Sequence, residues 1–259
     1  MRRFFVDLSG INEVRSGVRV SLDAEETRHA RTVLRLKDGD TLALTDGQGH
    51  VLSGVMAGGD RRSATVEITE VELVTAEVAP PRLHLICAVV KGKRFEAAVE
   101  KAVELGVHVI TPLVTERGVI EPGRGKHDRW QGLLVTALKQ CHRCHLPELR
   151  SQAELPTVLA GLDGELFFGA APGDLVGEKP QDALQLAAQA VRRRMDGQSA
   201  PAELRLLVGP EGGWSPVELQ MLSAHGAVPL TLGPHVLRTE TAAMAGLVAL
   251  QQLRRAWLS

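Results

Sequence analysis

The 259-residue chain has no tyrosine, and aromatic residues make up only 3% of it. Recognition of nucleic acid by stacking bases on many exposed rings is therefore not expected to be its main device. Cysteine is scarce too: three residues, an odd number, give no disulfide framework. After Met1-Arg2-Arg3 only Phe4-Phe5-Val6 precede Asp7, too short for a signal-peptide core. The longest apolar runs, Leu85–Val90 and Ala242–Leu250, fall short of a membrane span, which needs roughly 20 residues. A dinucleotide-type G-x-G-x-x-G fingerprint and a phosphate-loop GK[ST] are both missing. These absences point to a soluble, cytoplasmic protein with no membrane partner.

Charge of either sign is not in excess, since 30 Lys/Arg against 31 Asp/Glu give a formal net charge of −1. Its distribution is uneven. Residues 90–150 hold 11 basic against 7 acidic side chains, whereas residues 1–74 hold 10 against 12 and residues 151–259 hold 8 against 11. A basic middle fits a localised anion-facing surface and reads equally as an ordinary solvated helix surface. With 44% hydrophobic residues the chain can bury one large core or two modest ones.

Periodicity divides the chain. Thr41–Thr45, Val51–Val55 and Ala64–Ile68 alternate apolar with small or polar residues, as half-buried strands do, and Asp46-Gly47-Gln48-Gly49 and Gly58-Gly59-Asp60 supply turns. A helix is predicted over Ala24–Leu36. Thr75–Pro81 reads as a linker, because its two prolines cannot continue a strand ladder. Beyond it strands and helices alternate. Leu83–Val90 is a continuous apolar run, as in a buried parallel strand. Phe95, Ala98, Val99, Ala102 and Val103 recur at helical spacing up to Gly106. Val107–Val114, Glu165–Ala170, Leu204–Val208 and Val228–Leu232 read as strands, and Asp128–Cys141 as a helix. Ser215-Pro216-Val217-Glu218 is a helix start with cap, first-turn proline and capping-box glutamate. The last helix, Thr239 to about Trp257, holds Ala242, Ala243, Ala245, Gly246 and Ala249, small residues that permit close approach of another backbone.

Two stretches carry most of the chemical information: Leu207-Val208-Gly209-Pro210-Glu211-Gly212-Gly213-Trp214 and Leu232-Gly233-Pro234-His235-Val236-Leu237-Arg238-Thr239-Glu240-Thr241-Ala242. Each links a strand to a helix, so both loops fall on one edge of a sheet, where α/β proteins bind small ligands. A glycine-rich turn alone reads equally as a tight connection; the pairing of the two shifts the balance toward a site. Trp214 is read as core packing. With His29–Asp40, Asp46-Gly47, Lys91–Glu96, Glu100–Val107 and Pro112–Arg117, these motifs closely resemble the bacterial small-subunit ribosomal RNA uridine-N3 methyltransferases, of the SPOUT class.

That resemblance runs nearly end to end. It implies an α/β chain with a small N-terminal PUA-like RNA-binding β-barrel domain (1–74), a linker (75–81) and a C-terminal trefoil-knotted methyltransferase domain (82–259). It implies methyl transfer from S-adenosylmethionine to N3 of a uridine in the decoding region of 16S ribosomal RNA, on free RNA or on the assembled small subunit, by a homodimer that binds neither DNA nor membrane. Gly209, Pro210, Glu211, Gly212, Gly213, Leu232, Gly233, Val236, Leu237 and Thr241 would hold the cofactor. Uracil N3 is a protonated imide at neutral pH, so attack requires a base or a cation that stabilises the anion. Arg238 and Glu240 are assigned these two roles; pairing with each other to brace the loop is the competing reading. Arg2, Arg3, Arg31, Arg35, Arg94 and Arg143 are the RNA-binding candidates, with Arg94 a second catalytic cation candidate. Alternatives are another RNA position or atom, such as a ribose 2′-hydroxyl, and a non-catalytic RNA-binding assembly factor.

Cys141-His142-Arg143-Cys144-His145 looks metallic, yet no second pair lies at zinc-finger spacing. Read as a helix end, it puts Cys141, Cys144 and His145 on one face with no fourth ligand, so no metal is expected. Gln140, Cys141 and Arg143 match a Gln-Ser/Cys-Gly-Arg stretch of the family, whereas His142 stands in place of its glycine and Lys139 in place of a common glutamate.

Overall fold

The structure, a computed structural model, describes residues 3–9, 11, 13–60, 62–118, 125–160, 164–171 and 181–258. The chain forms two compact units: residues 1–78 with 135–146, and residues 79–134 with 147–259.

The first unit is built on a five-stranded sheet. Its strands are β1 (Arg3–Phe5), β2 (Arg19–Ser21), β3 (Thr41–Thr45), β4 (His50–Gly59) and β5 (Ala64–Leu73), in the order β1-β3-β4-β5-β2. Only the β1–β3 pair is parallel; β2, β3, β4 and β5 pair antiparallel. Period-two alternation sends Leu42, Leu44, Leu52, Met56, Val66 and Ile68 to one face, where they bury against Phe4, Val20 and Leu22. The Asp46 carboxylate accepts from the backbone N–H of Gln48 at 2.8 Å, and Asp60 does the same for Arg62 and Ser63, fixing the two predicted turns.

The helix predicted over Ala24–Leu36 is shorter and changes type. Helix α1 covers Ala24–Arg28, capped by the Asp23 side chain, and His29–Val33 continues as a π-helical turn. Leu34 N–H reaches back five residues to the His29 carbonyl, and Arg35 then takes φ 57°, which no helix continues. The linker holds a single 3₁₀ turn, Ala76–Val78.

The second unit alternates strands and helices: β6 (Arg82–Ala88), α2 (Arg94–Glu104), β7 (Val109–Val114), α3 (Lys126–Cys141), β8 (Glu148–Leu149), β9 (Ala153–Glu154), α4 (Leu155–Ala160), β10 (Glu165–Gly169), α5 (Ala183–Met195), β11 (Glu203–Val208), α6 (Pro216–Ala224), β12 (Val228–Leu230) and α7 (Thr239–Leu258). Helix α3 runs through the division, its residues from Val135 grouping with the first unit. The strands form one parallel sheet in the order β12-β10-β11-β6-β7-β8, with β9 also on β7. Strand β12 stops at Leu230, two residues before the predicted strand end, so Thr231 and Leu232 belong to the loop. The short strands β8 and β9 and helices α4 and α5 have no counterpart in the periodicity reading.

Helices cover both faces. On one, α4 and α6 close over Ile86, Leu113, Leu166, Phe168 and Leu207. On the other, α7 crosses β6 and β11 and packs on α2 and α5. The close approach that its small residues allow is realised at Gly246: a Cβ there would lie 2.6 Å from Cδ2 of Leu206, itself fully buried. At the far end α7 is tied down by Gln251, which donates to the Leu105 carbonyl at 2.6 Å, and by Arg254, which donates to the carbonyls of Ala79 and Pro81.

The strand N-termini bury a polar group. His84 Nε2 lies 2.8 Å from Thr111 Oγ1, its Nδ1 lies 3.4 Å from Glu203, and Arg205 donates to the same carboxylate at 2.8 Å. Burial, the largest influence, lowers the His84 pKa. Burial pushes the Glu203 carboxyl up, but hydrogen bonds from His84 and Arg205 and their charge outweigh it and hold the group at about 2.

Two expectations follow. Gly246→Val overpacks the α7–β11 contact and should lower unfolding free energy by about 1–3 kcal/mol, read as a lower urea midpoint at unchanged slope; an unchanged midpoint contradicts the packing described. Because the Glu203 carboxyl titrates in the folded chain at about 2 against an ordinary 4.5, its contribution is present above 4.5 and lost as pH falls through that window. Glu203→Gln should therefore show a shallower decline of Tm between pH 4.5 and 2 than the parent chain.

Candidate functional site

All strands of the second sheet are parallel, so the loops that follow β6, β10, β11 and β12 leave from one edge. From β6 the chain crosses to β7 on one side; from β11 it crosses to β12 on the other. The connecting helices α2 and α6 lie on opposite faces. The β6/β11 boundary is thus the topological switch point of the sheet, the place where open α/β sheets form a crevice.

Two cavities lie side by side along this edge of the sheet. The first, about 280 Å³, is lined by Gly169–Ala171 after β10, Val208–Trp214 around the end of β11, and Leu232, Gly233, His235, Val236, Leu237, Thr239 and Ala242 after β12. The second, about 510 Å³, is lined by Val90–Arg94 after β6 and by Pro210 and Glu211 after β11. Pro210 and Glu211 form the wall common to both.

Short polar bonds brace the first cavity. Pro210 O accepts from Gly213 N–H at 2.9 Å, with Gly213 at φ 69°, which makes a tight turn out of β11. Trp214, 2% exposed, packs edge-on against Phe168 and donates from Nε1 to the Gly169 carbonyl at 3.1 Å, locking the ends of β10 and β11 together. A Cβ on Gly209 would come within 3.0 Å of that indole, so only glycine leaves the wall open. Thr239 Oγ1 donates to the Gly209 carbonyl at 3.2 Å and so ties the second motif to the first. Ser215 caps α6 through a full capping box with Glu218, whose other oxygen accepts from Glu116 N–H at 3.0 Å. Arg117 donates to Gly212 O at 3.0 Å. The loop therefore has fixed backbone groups to present and few side chains in the way.

Nine of the ten positions read from sequence as cofactor-binding line this cavity: Gly209, Pro210, Glu211, Gly212, Gly213, Leu232, Gly233, Val236 and Leu237. Thr241 does not; it is an exposed residue on the first turn of α7. Gly169, Ala170 and Ala171 escaped the sequence reading because the end of β10 carries no glycine-rich or charged signal. Trp214 is core packing and cavity wall at once.

Arg238 lies between the lining residues Leu237 and Thr239 and Glu240 follows Thr239, but neither itself lines either cavity. Among the described residues no ion pair joins them: Arg238 is exposed, and Glu240 Oε2 is buried without a hydrogen-bond partner. Burial, followed by the Glu240 and Glu211 charges, pushes the fully buried Cys87 thiol near the end of β6 up to about 12, so Cys87 is an inert core residue. Arg94 pairs with Glu211 at the larger cavity.

The other arginines lie in the first unit, apart from Arg2, which is outside the described residues. Arg3 donates to the carbonyls of His142 and Arg143 at 2.5 and 3.0 Å. Arg31 donates to the carbonyls of Leu36 and Gly58 and pairs with Asp38. Arg143 is buried and pairs with Glu77. These three guanidiniums brace the fold, whereas Arg35 is exposed.

Comparison with known proteins agrees with this architecture. The family model of an RNA methyltransferase domain matches residues 77–251, and that of an RNA methyltransferase PUA domain matches residues 22–69. Ribosomal RNA small subunit methyltransferase E of Mycobacterium tuberculosis is 32% identical over 247 residues, covering 93% of this chain and 89% of the relative. The Synechocystis protein of the same name is 29% identical over 239 residues, covering 90% and 73%. Among solved structures, a Legionella pneumophila methyltransferase in complex with S-adenosylmethionine superposes with a TM-score of 0.79 at 32% identity over 96% of each chain. Ribosomal RNA small subunit methyltransferase E of Neisseria gonorrhoeae, bound to S-adenosylmethionine, superposes with a TM-score of 0.78 at 26% identity over 98% of each. Both domain models and these full-length matches agree: the chain belongs to the ribosomal RNA small subunit methyltransferase E family.

Proposed function

We propose that this chain methylates N3 of a uridine in the decoding region of 16S ribosomal RNA, with S-adenosylmethionine as methyl donor. The observation that carries the reading is the pair of adjoining cavities divided by Pro210 and Glu211. In this reading the smaller holds the donor and the larger, at the sheet's switch point, admits the nucleotide.

The residues present fit such a donor. Leu232, Val236 and Leu237 offer apolar surface to a flat ring, and the glycine-rich backbone of 209–213 and 232–233 offers amides and carbonyls to its polar edge. A bound sulfonium donor supplies an already activated methyl group. What remains for the chain is alignment of the acceptor and management of one proton. N3–H of uracil must lose that proton as the N3–carbon bond forms. In this reading Glu240, whose Oε2 is buried and unpartnered, accepts it, and the exposed Arg238 guanidinium stabilises the charge that develops on the ring. Arg94, held by Glu211, would meet the RNA at the mouth of the larger cavity as a phosphate anchor.

Further parts of the reading rest on family membership. The first unit's sheet serves as the PUA-like RNA-binding domain, with domain limits at 1–74 and 82–259 and a linker at 75–81. The C-terminal chain threads as a trefoil knot. A homodimer closes the site, supported by the exposed Val236 at the cavity rim, 72% accessible, and by exposed Val217 and Val248. The chain acts in the cytoplasm on free small-subunit RNA or the assembled subunit, and no helix among the described residues is long and apolar enough to cross a membrane.

The test is incubation of purified protein with methyl-labelled S-adenosylmethionine and unmodified small ribosomal subunits, followed by digestion and mass spectrometry of the nucleosides. Label is expected in N3-methyluridine; label in another nucleoside or in a ribose overturns the uridine assignment. In the same assay Glu240→Gln and Arg238→Ala should each lower kcat by about 10²–10⁴-fold with donor affinity changed only a few-fold. A rise in KM alone would reassign them to binding.

A further inference from the structure

The Cys141–His145 motif has no part in the methyl-transfer reading, and its structure differs from the helical reading of the sequence. Helix α3 ends at Cys141, whose thiol faces the Leu138 carbonyl of its own helix. His142 then takes φ 60°, turning the chain out of the helix, and Arg3 holds the carbonyls of residues 142 and 143 in that turn. Residues 144–146 run along the Gly47–Gly49 turn instead. Gly49 N–H donates to Cys144 O at 2.9 Å, and Leu146 N–H donates to Gly47 O at 2.7 Å. Cys144 and His145 are thereby delivered beside Glu77, 67 residues away from Cys144 in sequence, on the 3₁₀ turn of the linker.

One sulfur, one nitrogen and one oxygen donor converge there. A carboxylate oxygen of Glu77, Cys144 Sγ and a ring nitrogen of His145 all lie within 4.8 Å of one another, and Sγ is 3.1 Å from Glu77 Oε2. Zinc bonds of about 2.0–2.3 Å place tetrahedral donors roughly 3.3–3.6 Å apart, so small side-chain shifts bring the three into range. Arg143 holds the other carboxylate oxygen, Oε1, in the way that outer hydrogen bonds orient a ligating carboxylate. The imidazole lies on bare backbone, since a Cβ on Gly49 would come within 2.8 Å of Nε2. Cys144 is only 6% exposed.

We propose that Glu77, Cys144 and His145 form a structural site for a zinc-like divalent cation, with water as fourth ligand. The mixed S/N/O donor set suits a borderline-soft ion and not magnesium or calcium, which take oxygen. The ion ties the linker turn to the 142–146 loop inside the first unit.

The test uses untagged full-length protein. Zinc content is measured by mass spectrometry after purification, and chelated protein is then titrated with Co²⁺. Stoichiometric zinc is expected, together with a thiolate-to-cobalt charge-transfer band in the parent chain and in Cys141→Ser. The band should be lost in Cys144→Ser and weakened in Glu77→Gln and His145→Gln. Absence of the band in the parent chain, which needs no variant to fold, overturns the proposal. So does a band that survives Cys144→Ser or vanishes in Cys141→Ser.

Discussion

The parallel pairing of β6 with β11 is the constraint on which the rest of the second unit depends. It sets Arg82–Cys87 against Glu203–Val208, segments more than a hundred residues apart in the chain. Both strands are buried on both faces and, beyond the polar group at their N-terminal ends, are apolar, so their adjacency is stabilised by helices above and below. Helix α7 supplies one cover, and Gly246 lets it approach as closely as Leu206 permits. Once the pair is fixed, the chain leaves the two strands toward opposite sides. The loops 89–94 and 209–213 then face each other across a crevice that no single motif contains.

That geometry explains why the chemistry-bearing residues are mostly backbone. Gly209 leaves its position beside Trp214 open because any side chain would meet the indole, and the indole is held by the Gly169 carbonyl. The rigidity comes from Trp214, Thr239 and the Ser215–Glu218 box, none of which needs to touch a ligand. A site built this way is arranged before its ligand arrives, so less of the interaction energy is lost to ordering.

Much of this was legible in the sequence, for identifiable reasons. Continuous apolar runs marked β6, β7, β10 and β11, and the capping box marked α6, because buried parallel strands and capped helices impose strong local patterns. The loops 209–213 and 232–238 were legible because glycine and proline cluster there for a backbone reason. What escaped depends on distant contacts. Strands β8 and β9 are two residues each and have no period. The end of β10 contributes Gly169–Ala171 only through sheet order. The sequence offers Arg3, Arg31 and Arg143 as RNA-binding candidates but does not show that each also donates to carbonyls or carboxylates of its own unit. The π-helical turn at His29–Val33 and the turn at His142 break helices that local periodicity would have continued.

The central claim is that Pro210 and Glu211 separate a donor cavity from a nucleotide cavity. Calorimetric titration of S-adenosylmethionine into Gly209→Val and Arg94→Ala, beside the parent chain, tests it most directly. Gly209→Val, which places a side chain against Trp214 in the smaller cavity, should lose at least tenfold in affinity, about 1.4 kcal/mol. Arg94→Ala, which removes a side chain from the larger cavity and leaves the backbone of the common wall in place, should bind the donor as the parent chain does. Equal loss in both variants, or undiminished binding by Gly209→Val, would contradict the division.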